Sequence, residues 1–191
     1  MKIGIIKEGK EPIDRRVPLI PEQCSELMEI YPQLSLVVQS SPIRCYSDQD
    51  YQNKGIEIVE DLSDCDLIMG VKEVPLKLLI PNKKYLFFSH TIKQQPYNKN
   101  LLKEILNKNI DLIDYEVLKD LNGDRIIGFG RYAGIVGAYN AFLTYGLKEK
   151  KYKLKPAYLC QDQKEMEEEL KKIKIDNLKI ILTGDGRVSK G

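Results

Sequence analysis

Lys2-Ile3-Gly4-Ile5-Ile6-Lys7 is a short apolar run bounded by lysines at the start of the chain. Charge returns within a few residues, so the run is not a signal peptide; it reads as a buried first strand. Outward from it the chain alternates β-like runs with helix-like stretches, the pattern of an α/β domain built on a mainly parallel sheet. Further strands are expected at Leu34–Val38, Ile56–Val59, Leu67–Val71, Tyr85–Phe88 and Asp111–Asp114. Pro21–Ile30 reads as a helix opened by proline, with Cys24, Leu27, Met28 and Ile30 toward one face. Lys99–Lys108 is a second helix, in which Leu101, Leu102, Ile105 and Leu106 recur at helical spacing.

After Asp114 the rhythm changes. Asn122-Gly123 marks a tight β-turn between two β-prone flanks. Arg131–Tyr145 is rich in small residues at three- and four-residue spacing, which predicts a closely packed connecting helix. Asp162–Lys174 is a charged helix, and Leu178–Leu182 is expected to be one more strand. That strand runs into Gly184-Asp-Gly186-Arg-Val-Ser-Lys-Gly191. In nucleotide-binding βαβ units the first glycine permits the turn and the second lets backbone approach the pyrophosphate. Here the third glycine comes two residues later than in the commoner Gly-x-Gly-x-x-Gly, and a plain glycine-rich turn is the alternative. The helix, strand and selecting residue that would follow such a loop lie outside these residues, so the unit reads as truncated.

Composition narrows the function classes. The 191 residues are 42% hydrophobic, enough for a real core, and 30 basic side chains against 28 acidic ones leave a formal charge of +2. That balance offers no basic footprint for nucleic acid and no polybasic membrane anchor. No apolar run approaches the ~20 residues of a membrane span. Cys24, Cys45, Cys65 and Cys160 are scattered, without a CxxC or a nearby histidine. They read as ordinary thiols of a reducing compartment rather than a disulfide framework or metal site. A cytoplasmic protein is the expectation.

Candidate chemistry gathers at predicted strand ends, where open α/β sheets place their sites. His90, the sole histidine, sits in Phe87-Phe88-Ser89-His90-Thr91. An imidazole suits proton transfer near neutral pH; a hydrogen-bonded structural histidine is the alternative. Lys72 leaves the apolar run Ile68-Met69-Gly70-Val71, where partial desolvation would lower an amine's pKa, or it is a solvated surface lysine. Glu116 and Arg16 are charges at the margins of apolar segments. Arg16 suits bidentate capture of a carboxylate or simple exposure.

Taken together, Arg16-Val-Pro-Leu-Ile-Pro21, Gly70-Val-Lys72-Glu-Val-Pro75 and a strand ending in His90 resemble the N-terminal domain shared by alanine dehydrogenases, proton-translocating transhydrogenases and lysine-forming saccharopine dehydrogenases. Phe87–Lys93, Leu112–Glu116 with Phe129–Gly137, and Thr183–Gly191 are similar to the lysine–ketoglutarate reductase branch in particular. The resemblance implies a Rossmann-like domain over residues 1–130 carrying substrate and catalysis. It implies a connecting helix and the beginning of an incomplete NAD(P)-binding domain over 131–191. It implies an oxidoreductase acting on CH–NH donors, condensing L-lysine with 2-oxoglutarate to saccharopine or running the reverse, with NAD or NADP as cofactor. Lys72 and His90 would move protons, Arg16 and Lys93 would hold substrate carboxylates, and Glu116 would tune Lys72 by its charge. Gly184, Gly186 and Gly191 match the dinucleotide loop. The partners implied are small molecules, with neither nucleic acid nor membrane. The 191 residues alone are expected to show no turnover. An alanine dehydrogenase-like activity and a binding module that lost its chemistry stand as alternatives.

Overall fold

A computed structural model describes residues 1–174 and 177–191. The chain divides into two compact units, Met1–Ile127 and Gly128–Gly191.

The first unit is a six-stranded sheet in the order β3-β2-β1-β4-β5-β6, with every neighbouring pair parallel. Its strands are β1 (Lys2–Ile5), β2 (Ser35–Gln39), β3 (Glu57–Val59), β4 (Leu67–Met69), β5 (Lys84–Phe87) and β6 (Asp111–Asp114). The helices are α1 (Pro21–Ile30), α2 (Asp48–Gln52) and α3 (Lys99–Asn107). This is the Rossmann-like α/β architecture, with its topological switch between β1 and β4, where ligands bind in such sheets.

Side-chain alternation builds a core on each face. Ile3, Ile5, Leu36 and Val38 join Cys24, Tyr51 and Ile56 on one side. Val37, Ile68, Tyr85 and Phe87 join Leu101 and Ile105 of α3 on the other. A parallel sheet covered on both faces reads as near-continuous apolar runs, hence the short unalternating strands of this chain. Gly4 is needed in β1, because a Cβ there would lie 2.7 Å from Leu62 and 2.8 Å from the Cys65 sulfur. Proline at the first turn fixes where α1 begins. In α3, Leu101 and Ile105 are buried, whereas Leu102 and Leu106 face out; Ile30 at the end of α1 is exposed too. A 3.6-residue period lets one narrow stripe meet the sheet, and these three fall off it.

Asn122-Gly123 forms the expected turn, with Gly123 at φ +84°. Its flanks make a single antiparallel bridge, Lys119–Arg125, rather than two strands. The Asp120 carboxylate closes the loop by accepting the backbone N–H of Asn122 and of Asp124, both at 2.9 Å.

The second unit holds α4 (Gly130–Lys148) and α5 (Gln163–Lys171). The Asp162 side chain caps α5 by accepting from the Glu165 N–H at 2.9 Å. Tyr139, Leu154 and Met166 form its small core. Two glycines of α4 allow close approach. A Cβ at Gly134 would meet the Val188 carbonyl oxygen at 1.9 Å, and one at Gly146 would meet the Tyr152 ring at 2.4 Å. The rest of the small-residue stripe departs from the close packing expected of it: Ala133, Gly137, Ala138 and Ala141 are exposed. They line an apolar cleft of about 800 Å³ together with Ile181, Leu182 and Val188. Leu178–Leu182 forms no strand, and Ile180, Ile181 and Leu182 are exposed. A strand satisfies its backbone only through neighbours, and among the described residues none pairs with this segment.

Candidate active site

Four parallel strands deliver their C-terminal ends to one region, and the ionisable groups lie just beyond them. Glu8 and Lys10 follow β1, Lys72 and Glu73 follow β4, and His90 and Lys93 follow β5. Glu116 follows β6, and Asp14 and Arg16 sit on the loop from β1 to α1.

Lys72 and His90 meet: Lys72 Nζ stands 3.5 Å from His90 Nε2. On the other side of the ring, His90 Nδ1 lies 2.5 Å from Glu73 Oε1. A carboxylate acceptor at Nδ1 keeps a proton on that nitrogen, which leaves the Nε2 lone pair to face the ammonium. The second oxygen of Glu73 accepts from Lys10 Nζ at 2.8 Å. The result is a Lys72–His90–Glu73–Lys10 line of alternating donors and acceptors.

The electrostatics follow from burial and neighbours. Burial lowers the Lys72 pKa from the ordinary lysine value, and the Arg16 and Lys10 charges add to that, while Glu73 pulls the other way. Burial pushes the Glu73 carboxyl up, yet its hydrogen bonds from Lys10 and His90 outweigh this and hold it low. The Phe88 ring floors the pair. It stacks on His90 at 6.2 Å between centroids and lies 5.7 Å from Lys72 Nζ.

His90 is held in the left-handed region at φ +54°, costing on the order of 1 kcal/mol for a non-glycine residue. Its carbonyl accepts from the Lys93 N–H and from Asn98 Nδ2, both at 3.2 Å. Before it, buried Ser89 donates to the Asp114 carboxylate at 2.5 Å and bonds the Thr91 hydroxyl at 2.8 Å.

Glu116 is buried, and its Oε1 takes both Lys93 at 3.0 Å and Arg125 at 2.8 Å. Burial raises its pKa, but these two cations lower it further, so it lies below the ordinary value. Among the described residues its buried Oε2 has no hydrogen-bond partner. Its direct partners are thus Lys93 and Arg125, and the carboxylate in line with the Lys72–His90 pair is Glu73. Arg16 presents Nε to Asp14 at 2.9 Å and Nη2 to the other oxygen of the same carboxylate. That bidentate fork is turned on Asp14.

Glu8, Lys10, Asp14, Glu73, Asn98, Asp114 and Arg125 were not singled out by sequence reasoning. Glu73 carried a signal, its adjacency to Lys72. The rest are surface-type residues in the sequence, brought in by topology.

In the second unit Gly184 takes φ +89°, a conformation that favours glycine, and a Cβ at Gly186 would meet open space. Residues 186–190 make one helical turn, with Lys190 N donating to the Gly186 carbonyl at 3.1 Å. A Cβ on Gly191 would strike the Arg131 carbonyl oxygen at 1.9 Å. A positive-φ first glycine, an open second glycine and a close-packed third glycine fit a dinucleotide loop.

Comparison with known proteins agrees with the topology. The family model "Alanine dehydrogenase/PNT, N-terminal domain" matches residues 4–136. The alpha-aminoadipic semialdehyde synthase of Arabidopsis thaliana is 40% identical over 153 residues, covering 78% of this chain and 14% of that protein. The saccharopine dehydrogenase (NAD(+), L-lysine-forming) of Yarrowia lipolytica is 29% identical over 154 residues, 78% of this chain and 41% of its own. This chain therefore spans well under half the length of either. Among solved structures, an L-alanine dehydrogenase superposes with a TM-score of 0.62 at 20% identity, over 81% of this chain and 44% of that one. The chain belongs to the alanine dehydrogenase/transhydrogenase N-terminal domain family.

Proposed function

We propose that this chain supplies the acid–base and substrate-binding part of an NAD- or NADP-dependent oxidoreductase that condenses L-lysine with 2-oxoglutarate to saccharopine, or runs the reverse. The observation that carries the reading is the Lys72–His90 pair, 3.5 Å apart beyond the C-terminal ends of β4 and β5 and backed by Glu73. The name of the Yarrowia lipolytica relative, an L-lysine-forming saccharopine dehydrogenase, supports the reading. In this reading residues 1–130 are the substrate domain and residues 131–191 begin the cofactor domain.

Condensation needs several proton transfers. The neutral ε-amine of lysine attacks the keto carbon as a nucleophile, forming a C–N bond as the C=O π pair becomes an alkoxide; the oxygen must gain a proton and the nitrogen must lose one. Loss of water to the imine then needs a proton on the departing oxygen. Gly184, Gly186 and Gly191 would hold the pyrophosphate of a nicotinamide dinucleotide, whose chemistry there would be hydride supply to the imine carbon. Lys72, with its lowered pKa, and His90 exchange these protons, since two groups of staggered basicity suit successive steps. Arg16, by exchange with Asp14, and Lys93 take substrate carboxylates.

Among the described residues no helix is long and apolar enough to cross a membrane. The compartment is proposed as cytoplasmic, although the cattle and mouse relatives carry "mitochondrial" in their names.

The test is NAD(P)H oxidation by the complete enzyme, offered lysine with 2-oxoglutarate or ammonia with pyruvate. Lys72→Met and His90→Gln should each lower kcat by about 10²–10⁴-fold, the usual contribution of a positioned acid–base group. Unchanged kcat in both variants would remove the catalytic assignment, and preference for pyruvate would move the substrate to alanine.

A further inference from the structure

We propose that Glu8 is a positioning residue: its carboxylate clamps the backbone N–H groups of Val71 and Lys72 and so sets where the Lys72 ammonium stands against His90. The proposal rests on the reading of Lys72 as a proton-transfer group and adds a residue that touches neither substrate nor reacting atom.

The geometry is a two-point clasp. Glu8 Oε1 accepts from the Val71 N–H at 2.7 Å, and Oε2 accepts from the Lys72 N–H at 3.0 Å. β4 ends at Met69. The ladder still uses Gly70 N–H, which donates to the Leu86 carbonyl at 3.0 Å. Beyond Gly70, β4's own backbone donors turn to Glu8. Both oxygens are used, so the carboxylate fixes position and rotation together, as a single hydrogen bond cannot.

Glu8 itself stands just past β1, the strand on the other side of the switch point. Gly70 lies against it: a Cβ there would touch Glu8 Oε1 at 3.4 Å and crowd Ile6 at 3.0 Å. A lysine side chain has four rotatable bonds, and holding Nζ 3.5 Å from an imidazole nitrogen requires its Cα to be fixed first. The Phe88 ring steers the far end of the side chain, and Glu8 anchors the near end. Arg16, Asp14, Lys10 and Glu73 are the other charges around Lys72.

Charge and position predict opposite signs, and that makes the proposal testable. Removing a nearby negative charge by itself lowers an ammonium's pKa. Releasing the β4 end lets Lys72 move into water and away from Arg16, which raises it. The Lys72 Cε–Hε signal of this chain can be titrated by NMR, assigned by its disappearance in Lys72→Arg. The expected result is an upward shift in Glu8→Ala. Glu8→Gln should shift upward by less, because its amide oxygen still accepts one N–H although the lost charge is the same. A thermal melt of each variant checks folding, and Glu8→Gln carries the test if Glu8→Ala does not fold. A downward shift in Glu8→Gln, equal shifts in both variants, or no shift overturns the proposal. If the titration moves as expected while Lys72→Met leaves turnover of the complete enzyme intact, the clasp stands and the catalytic reading fails instead.

Discussion

Asp114 closes β6 and ties it to the end of β5, and cutting that tie should be measurable in this chain alone. The carboxylate is buried, at 7% exposure, and both its oxygens are engaged: Oδ2 by the Ser89 hydroxyl at 2.5 Å and Oδ1 by the Glu116 N–H at 2.8 Å. Asp114→Ala removes two hydrogen bonds to a charged acceptor, each worth about 1.5–3 kcal/mol, and leaves the Glu116 N–H unpaired. Relief from burying a charge offsets part of this, so the expected loss is about 3 kcal/mol. For a unit of this size that corresponds to a fall in Tm of roughly 10 °C. Asp114→Asn keeps an oxygen for the Glu116 N–H, and Ser89 can reverse its role and accept from the new amide, so about 1 kcal/mol should be lost. Urea denaturation followed by circular dichroism reads these values, and a cycle with Ser89→Ala isolates the direct bond. A coupling of about 1–2 kcal/mol is expected for contacting residues. Coupling below about 0.5 kcal/mol, or Asp114→Asn as damaging as Asp114→Ala, would refute the reasoning.

Further outcomes follow from other positions. The Glu116 carboxyl is held below its ordinary pKa by Lys93 and Arg125 against burial. It therefore adds stability above the unfolded carboxylate pKa of ~4.3, and that stability disappears as pH falls through the folded value. Its partners' side chains are 45% and 48% exposed, so screening limits the contribution to about 1 kcal/mol. The stability gap between the wild type and Glu116→Gln should narrow from pH 6 to pH 3, and a constant gap would contradict the assignment. Gly4→Ala should cost about 1–3 kcal/mol by overpacking, because Leu62 and Cys65 are themselves buried and β1 is paired on both sides; an unchanged urea midpoint would show that the core yields there.

Much of the fold was legible because its signals are local. α1 occupies the residues expected of it, since proline sets its first turn, and β6 runs from Asp111 to Asp114 as read. The other strands shift by one or two residues at their ends; in β1 and β4 the apolar run continues past the strand's last residue. Leu178–Leu182 has the same local pattern and no strand, which shows what the pattern lacks: a partner. Lys72 and His90 each leave an apolar run, the family resemblance gave them their roles, and the structure brings them together across 18 positions. Glu8 lies 64 residues from the Lys72 N–H that it holds, and in the sequence nothing distinguishes it from any other glutamate. Glu116 was expected to tune Lys72 by its charge; its closest partners include Arg125, delivered by the Asn122-Gly123 turn, so a turn read only as local punctuation places a charge in the site.

The polar links follow the order of the sheet rather than the order of the chain. Glu8 after β1 holds the end of β4. Glu73 after β4 holds His90 after β5. Ser89 after β5 holds Asp114 of β6, and Lys93 after β5 pairs with Glu116 after β6. Each link joins strands adjacent in space, so every strand end from the switch point to the β6 edge is fixed to its neighbour by at least one charged group. Parallel ladder bonds alone leave strand termini free to fray, because the last carbonyls and N–H groups have no partner. A site assembled from strand ends needs those termini fixed to a few tenths of an ångström. The stitching answers that need, and it also accounts for why a chain with a net charge of only +2 concentrates so many ionisable groups at one rim.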